Sequence, residues 1–340
     1  MTDRATGSPP SLVWDELTSL SDTYTCYSSA IAAWAALGSA SWVSAINGGL
    51  HLVVVDAGDA LFGFSHLAPE LSRTLGLVRR TADDVAEAAA GINDELAANG
   101  RVIVAGDGFN LPWHVAYGRR HVPHWFVLAA DGAMSVVDPF TCRNDLGIQQ
   151  ATIEPLDQAD VPSLVAGVPV DDPVFALREA FALGADERPL PAASFRWFAH
   201  AAAPEPPSPL GDAGPAAVRR LASHFREHSL DRAAYRQADD LWSIARHRAF
   251  FAQQVAGEAA KRWSGDLQAW VEDHVLPLAR CWAHVAPLLM QATLALDGGR
   301  TPTTSLPDTL DELADREEKA HTDISAHAPE LVQPGLIVSS

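Results

Sequence analysis

Residues 22–38 constrain the fold most, because their pattern predicts a buried helix with a cysteine at its N-terminus. Small apolar residues dominate 26–37, and alanine is the strongest helix former. Side chains of the N-capping type precede the cysteine: Asp22, Thr23 and Thr25. The glycine at 38 is a suitable terminator. The pattern predicts a helix over 26–37 with Cys26 in its first turn, where the helix dipole and free N–H groups favour a thiolate.

A β-hairpin is the second predicted element, with strands at about 124–130 and 133–138. A three-residue loop at 130–132 would place His124 directly opposite Asp138. Any odd loop length keeps the two side chains on one face, whereas a two-residue turn separates them. We therefore expect the carboxylate of Asp138 to orient the ring of His124. The plainer alternative is a histidine packed in a strand and an aspartate that starts a turn.

The helix and the hairpin together predict a papain-like Cys–His–Asp site. In such a site His124 deprotonates Cys26, and Asp138 holds the ring in place. The other cysteines, Cys142 and Cys281, lie far apart in sequence and form no CxxC pair. Each of those two reads most simply as a small apolar packing residue.

Several polar residues near the hairpin are further candidates. Asp107 follows a buried strand, so it either caps the next loop or supports the site. Arg119 and Arg120 form a basic pair that suits the phosphate of a phosphopantetheine arm or an acidic carrier protein, unless they are simply solvated. His121 is a candidate for substrate contact or for the base. Three other histidines are weaker candidates for the same roles: His51, His66 and His114.

Composition limits the function classes. The chain has 340 residues and a formal net charge of −19, so a polyanion is repelled and nucleic acid is not expected as a partner. The N-terminus has no signal-peptide pattern, and the apolar stretch 276–296 contains prolines and an arginine. We therefore expect a cytoplasmic protein without a membrane partner. No metal-ligand pair or phosphate-binding loop stands out, so no metal or cofactor is expected.

The length allows two domains. Helix and strand signals mix as far as residue 170 and become mainly helical after it, which predicts an α+β chain. We expect a papain-like catalytic domain at 11–170 and a mainly α-helical domain at 171–330, with a Pro-rich loop at about 204–215. The last predicted helix, at about 307–326, is acidic and reads as solvated.

Three blocks of sequence resemble the butirosin-biosynthesis BtrH-type acyltransferase family. The first is Thr25-Cys26-Tyr-Ser-Ser-Ala-Ile with Gly48-Gly49-Leu, and the second runs from 100 to 113. The third is His121-Val-Pro-His124 with Val136-Val-Asp138-Pro139. Their order and spacing make the resemblance specific for residues 15–145. A weaker likeness in the helical part covers 246–255 and Trp282.

The resemblance implies a papain-like fold with Cys26 as nucleophile, His124 as base and Asp138 as orienting residue. It also implies transfer of an acyl group from a carrier-protein thioester to an amine in antibiotic biosynthesis. One departure concerns the oxyanion hole, because Leu20 stands where papain-like enzymes carry a glutamine. The oxyanion would then rest on the Cys26 N–H and on a hydroxyl of Thr23 or Thr25.

Two other function classes fit the same sequence. A cysteine peptidase or amidase would hydrolyse an amide or thioester with the same triad. A protein that binds a carrier or another partner on a decayed peptidase fold would need no triad at all. The acyl group and the acceptor stay open, as does the donor: a carrier protein, a coenzyme A ester or an aminoacyl-tRNA, the last disfavoured by charge.

Overall fold

The computed structural model describes residues 11–38, 42–67, 75–165, 167, 172–181, 195–200, 211–262, 265–303 and 305–327. The chain divides into two compact units that interleave along the sequence. The first unit comprises Met1–Ile46, Leu71–Asp172 and Leu190–Glu205. The second unit comprises Asn47–Glu70, Pro173–Pro189 and Pro206–Ser340.

This division differs from consecutive domains at 11–170 and 171–330. The segment 47–70 joins the second unit and 190–205 joins the first, because strands in these segments pair with partners far away in sequence. Of the expected Pro-rich loop at 204–215, residues 204–210 lie outside the described part of the chain. Helices and sheets both occur, so the chain is α+β.

The strands of the described residues, in chain order, are β1 (Val53–Gly58), β2 (Leu61–Ser65), β3 (Leu77–Ala82), β4 (Arg101–Asp107), β5 (Pro123–Asp131), β6 (Ala133–Asp138), β7 (Cys142–Asn144), β8 (Gly147–Gln149), β9 (Thr152–Pro155), β10 (Phe195–His200) and β11 (Asp212–Ala213). In the first unit six of them form an antiparallel sheet of order β3-β10-β4-β5-β6-β9, and β7 and β8 form a separate hairpin. The second unit holds an antiparallel sheet of order β11-β1-β2.

The α-helices of the described residues are α1 (Ser11–Ser19), α2 (Cys26–Leu37), α3 (Trp42–Ile46), α4 (Val85–Asn99), α5 (Val161–Leu164), α6 (Pro173–Phe181), α7 (Pro215–Glu227), α8 (Ala238–Arg262), α9 (Gly265–Trp270), α10 (Leu276–Trp282), α11 (Val285–Asp297) and α12 (Leu306–His327). Short 3₁₀ segments occupy Ser21–Thr23, Gln158–Asp160 and Arg232–Tyr235, and a π-helical segment covers Val271–Val275. Helices α1 to α5 belong to the first unit and α6 to α12 to the second.

Helices cover both faces of the six-stranded sheet, which explains why its central strands read as nearly continuous apolar runs. On one face α4 buries its apolar side against β4 and β5, and the shared core includes Ile92, Val104 and Phe126. On the other face α2 packs against β5, where the ring of Tyr27 lies 5.6 Å from that of Trp125. Burial of this apolar surface is the main force that holds the layers together.

The β5–β6 hairpin has a different register from the one expected. Asp131 pairs with Ala133 across Gly132, which has a positive φ of 79°, and Val127 pairs with Val137. The pairing is shifted by two residues, so His124 and Asp138 are diagonal neighbours rather than directly opposite. A shift of two preserves the face of every side chain, and the loop remains odd in length.

The second unit has a large core built mainly by its helices. Aliphatic and aromatic side chains from five helices meet there: Leu221, Phe251, Trp282, Leu289 and Leu310. The acidic helix α12 was expected to be solvated, but its apolar side is buried in this core, at Leu306, Leu313 and Ile324 among others. The spacing of these residues places them on one face of the helix. The many carboxylates between them make this apolar pattern hard to recognise in the sequence. Among the described residues, no helix combines the length and the apolar character needed to cross a membrane.

Candidate active site

Cys26 is the first residue of α2, as the sequence predicted. Thr25 is the N-cap and forms a capping box with Ser28: the Thr25 N–H donates to Ser28 Oγ at 2.8 Å, and the Ser28 N–H donates to Thr25 Oγ1 at 3.2 Å. These contacts fix the start of the helix. The thiol of Cys26 is free and partly buried. Because Cys26 occupies the first turn, its N–H has no acceptor within the helix and remains available to a ligand.

The six-stranded sheet supplies the other two residues of the site, His124 and Asp138. It lies near the start of β5 and is buried, as is Asp138 at the end of β6. Nε2 of His124 and Oδ2 of Asp138 are 2.7 Å apart. The side chain of Cys26 acts on the same imidazole and raises its pKa. Since Nε2 is held by Asp138, Nδ1 is the ring nitrogen left to exchange a proton with the thiol.

The environment of His124 favours its protonated form. Burial lowers its pKa, but the charge and hydrogen bond of Asp138, together with the hydrogen bond and charge of Cys26, outweigh burial and raise the pKa to about 10. A buried imidazolium is stable only beside negative charge, which the carboxylate and the sulfur supply. The geometry therefore suits a thiolate–imidazolium pair, the form in which a cysteine is nucleophilic.

Asp138 is held by four donors, of which the sequence indicated only the histidine. Oδ2 accepts from Trp113 Nε1 at 3.1 Å and from Gln149 Nε2 at 3.3 Å, and Oδ1 accepts the Phe140 N–H at 3.1 Å. These donors compensate the loss of hydration of a fully buried carboxylate. Trp113 ends the second block of the resemblance, at 100–113, but was not among the candidate site residues. Nothing in the sequence singled out Gln149, because its role depends on the fold of the β7–β8 hairpin.

His114 packs beside the triad and is not suited to be the base. Its ring centroid lies 4.5 Å from that of His124, and its Nδ1 accepts the Ala116 N–H at 3.1 Å. Burial, followed by the charge of His124, lowers the pKa of His114 to about 2. The ring is therefore neutral, with the proton on Nε2.

The two threonines expected at the oxyanion hole use their hydroxyls locally. Thr23 Oγ1 donates to the carbonyl of Leu20 at 2.7 Å, and Thr25 Oγ1 caps the helix. These bonds explain why threonine suits both positions without involving an oxyanion. The Cys26 N–H is then the remaining donor of the expected set.

Asp107 both caps a loop and holds a histidine. Its Oδ1 accepts the N–H groups of Phe109 at 3.0 Å and Val122 at 3.2 Å, which closes the loop between β4 and β5. Its Oδ2 lies 2.5 Å from Nδ1 of His121. Asp107 is therefore a neighbour of His121 and not of His124, so the structure contains a second His–Asp pair.

Arg119 and Arg120 are exposed and tie the same loop to the β7–β8 hairpin. Arg119 Nη1 donates to the carbonyl of Leu146 at 2.8 Å. Arg120 Nη2 lies 2.6 Å from Oδ2 of Asp145, an exposed ion pair. The positive charge of Arg119 thus meets a neutral carbonyl, while that of Arg120 is partly balanced.

The remaining candidates lie elsewhere. His51 and His66 belong to the second unit, where Nδ1 of His66 lies 2.6 Å from Nδ1 of His247. Cys142 lies in β7 and Cys281 in α10, and neither forms a disulfide. Within the described ranges, no group of three or more His, Cys, Asp or Glu side chains is arranged to hold a metal ion.

Neither a search of protein-family models nor a search of curated proteins found a match for the chain. The arrangement of Cys26, His124 and Asp138, with the residues around them, is therefore the basis for inferring a function.

Proposed function

We propose that the chain is a papain-like cysteine acyltransferase related to the BtrH-type family, which moves an acyl group from a thioester to an amine. One observation carries the proposal: a cysteine at a helix N-terminus raises the pKa of a buried imidazole that Asp138 holds at 2.7 Å. A structural cysteine needs neither the helix terminus nor the charged partner. A reaction through acyl-Cys26 needs both.

The first half-reaction acylates the enzyme. The Cys26 thiolate attacks the thioester carbonyl, and the oxyanion that forms is next to the free N–H of the first helical turn. As the C–S bond of the donor breaks, His124 gives its proton to the departing thiolate. One thioester is exchanged for another, so the step is nearly isoenergetic.

The second half-reaction discharges the acyl group to an amine. The amine nitrogen attacks the carbonyl of acyl-Cys26, and neutral His124 takes its proton as the C–N bond forms. The proton then passes to the sulfur as the C–S bond breaks. An amide replaces a thioester, which makes this step downhill. No cofactor takes part, although the donor carries its own phosphopantetheine arm when it is a carrier protein.

The basic pair supports a donor with negative charge. Arg119 and Arg120 are exposed in a chain whose net charge is −19. A guanidinium binds a phosphate with two N–H donors, so the pair suits the phosphate of the phosphopantetheine arm or an acidic helix of a carrier protein. Carriers of this kind occur in the cytoplasm, which is the location we propose.

Intact-mass spectrometry tests the proposal. The protein is mixed with acyl carrier proteins loaded with different acyl groups, and the wild type is expected to gain the mass of one acyl group while Cys26→Ala gains none. Matched Cys142→Ala and Cys281→Ala variants are expected to acylate like the wild type. Equal labelling of Cys26→Ala would overturn the proposal.

Discharge of the adduct then separates transferase from hydrolase. Addition of amines is expected to release the acyl group as an amide much faster than water releases it as an acid. If water discharges acyl-Cys26 as fast as any amine, the same triad serves a peptidase or amidase.

A further inference from the structure

His114 has no part in the proton transfers between Cys26 and His124. The residue is buried, with 9% of its surface exposed, and its Nδ1 accepts the Ala116 N–H at 3.1 Å. The backbone at Gly108 covers the same edge of the ring, because a Cβ added to that glycine would lie 2.7 Å from Nδ1 and 2.9 Å from Cε1. Nε2 carries the proton of the neutral ring and makes no hydrogen bond to a described residue. The polar group that His114 leaves for a ligand is therefore an N–H donor.

A ring contact joins His114 to the imidazole of the triad. The centroids of the His114 and His124 rings lie 4.5 Å apart, and the two planes are tilted by 56°. Asp138 holds Nε2 of His124, and Cys26 acts on the same ring. A carbonyl that Cys26 attacks has to lie beside this ring, because its leaving group takes the proton of His124. His114 therefore borders the place of the reacting carbonyl.

The oxyanion of the proposed reaction has few of its expected donors. Leu20 stands where papain-like enzymes carry a glutamine. The hydroxyls of Thr23 and Thr25 form local hydrogen bonds, which leaves the Cys26 N–H of the expected set. Enzymes that form such an oxyanion aim several donors at it, and each donor is worth a large factor in rate. A second N–H beside the carbonyl would complete the site.

The neutral state of His114 suits a donor that does not compete for protons. Burial, followed by the charge of His124, lowers the pKa of His114 to about 2, so the ring stays neutral beside an imidazolium. Its Nδ1 lone pair is occupied by the Ala116 N–H, so the ring does not act as a second base. A neutral imidazole with a lowered pKa can still polarise a carbonyl through its N–H. Proton transfer thus stays with His124.

We propose that the Nε2–H group of His114 is a donor of the oxyanion hole, an inference that rests on the proposed transferase activity. As Cys26 attacks, the Sγ–C bond forms and the π electron pair of the carbonyl moves to oxygen, where the N–H groups of His114 and Cys26 bind it. The pair returns as the C–S bond of the donor breaks, and the departing thiolate takes the proton of His124. His114 keeps its own proton throughout. The same contact serves the second half-reaction, because the amine attacks the same carbonyl.

The test compares oxygen with sulfur at the position of the oxyanion. Acylation of Cys26 is followed by intact-mass spectrometry with S-butyryl-N-acetylcysteamine and with its dithioester analogue, in which C=S replaces C=O. Sulfur is a weak hydrogen-bond acceptor, so the dithioester gains little from the donor. His114→Asn keeps an oxygen for the Ala116 N–H but has no donor at the position of Nε2. Its acylation rate is expected to fall by about 10²–10³-fold with the thioester and by only a few-fold with the dithioester.

Two further variants separate the donor from packing effects. His114→Gln places an amide N–H closer to the position of Nε2 and is expected to recover part of the thioester rate. The exposed control His321→Asn is expected to match the wild type with both substrates.

Three results would count against the inference. Equal losses with both substrates in His114→Asn would mean that His114 only packs against His124, and an unchanged thioester rate would mean that its N–H does not reach the oxyanion. Either result overturns the donor role and leaves the transferase proposal standing. Failure of both substrates to acylate the wild type would instead overturn the transferase proposal, and the donor role with it.

Discussion

The side-chain Nε2 of Gln149 donates to Oδ2 of Asp138 at 3.3 Å, and its side-chain Oε1 accepts the Val115 N–H at 2.7 Å. A single buried side chain thus links the β7–β8 hairpin, the loop that carries Trp113 and the orienting carboxylate of the triad. The residue is fully buried, so neither bond is replaced by water when it is removed.

Replacing Gln149 by Leu is therefore expected to affect both stability and activity. Unfolding free energy should fall by about 1–3 kcal/mol, because the Val115 N–H is left without its partner. The acylation rate of Cys26 should fall by about 10-fold as Asp138 loses one of its donors. Urea unfolding and acylation kinetics measure the two effects. The exposed neighbour Gln150→Leu is the control and should change neither quantity.

Replacing Asp138 by Asn should remove the ion pair of the triad. Burial lowers the pKa of His124, and the charge and hydrogen bond of Asp138 are the main influences that raise it to about 10. Without the carboxylate the ring should be neutral at pH 7, and acylation of Cys26 should slow by on the order of 10²–10⁴-fold. A variant that acylates at the wild-type rate would contradict the assigned role.

The same substitution should move the alkaline limit of activity. In the wild type His124 stays protonated until the pH approaches its pKa of about 10. Because this pKa is raised on folding, its contribution to stability is present below about pH 6.5 and is lost as pH rises towards 10. In Asp138→Asn the alkaline limit of activity and the loss of the stability contribution of His124 should both occur at lower pH. NMR titration of the ring and pH profiles of acylation measure them.

The second unit should lose stability in acid through its buried histidines. Burial, then the charge of Arg248, lowers the pKa of His247 to about 3 and that of His51 to about 4. Burial, then the charge of His247, lowers the pKa of His66. The unfolded chain binds more protons than the native one below about pH 6.5, so the free energy of unfolding decreases as the pH is lowered. Each extra proton contributes a slope of about 1.4 kcal/mol per pH unit.

Urea unfolding at about pH 7 and about pH 5 checks this slope. A His247→Phe variant should show a smaller difference between the two pH values than the wild type, because one depressed titration is removed. An unchanged difference would mean that His247 is protonated equally in the native and unfolded states.

Arg248 should be the most sensitive charged residue of the second unit. It is buried with Glu317, with Nε 2.6 Å from Oε1, and it also donates to the carbonyls of Leu50 and His51 at 3.1 Å. Arg248→Met leaves a buried carboxylate and two carbonyls without this donor, so unfolding free energy should fall by about 3–5 kcal/mol. Arg219→Met removes two exposed ion pairs, with Asp315 and Glu318, and should have a far smaller effect. Similar losses for both variants would contradict this account.

The local features of the site could be predicted from the sequence. The capping residues and the alanine run correctly located the start of α2 at Cys26, and the apolar alternation located β5 and β6 to within one residue. Both depend on neighbours in the chain, where propensity and period dominate. The sequence left odd and even loop lengths open, and the structure has the odd one, around Gly132.

Features that depend on distant contacts could not be predicted. The hairpin register was wrong by two residues, because a shift of two satisfies the same apolar pattern and only the turn at Gly132 decides between them. The contacts of Gln149 and the pairing of His121 with Asp107 need the folded loops and have no local signal.

The interleaving of the units limits how the chain can be truncated. The chain passes between the two units five times, at the junctions 46/47, 70/71, 172/173, 189/190 and 205/206. Strand β10 lies between β3 and β4 in the sheet, although it follows them by about a hundred residues of sequence. A fragment that ends at residue 170 would lack this strand. The edges of β3 and β4 that pair with it in the six-stranded sheet, here called the triad sheet because it carries His124 and Asp138, would then be unpaired. Unpaired strand edges are templates for aggregation. A fragment with the complete triad sheet therefore has to extend to β10 and includes two segments of the second unit, 47–70 and 173–189. The full-length protein is the form in which the chemistry of the triad should be measured.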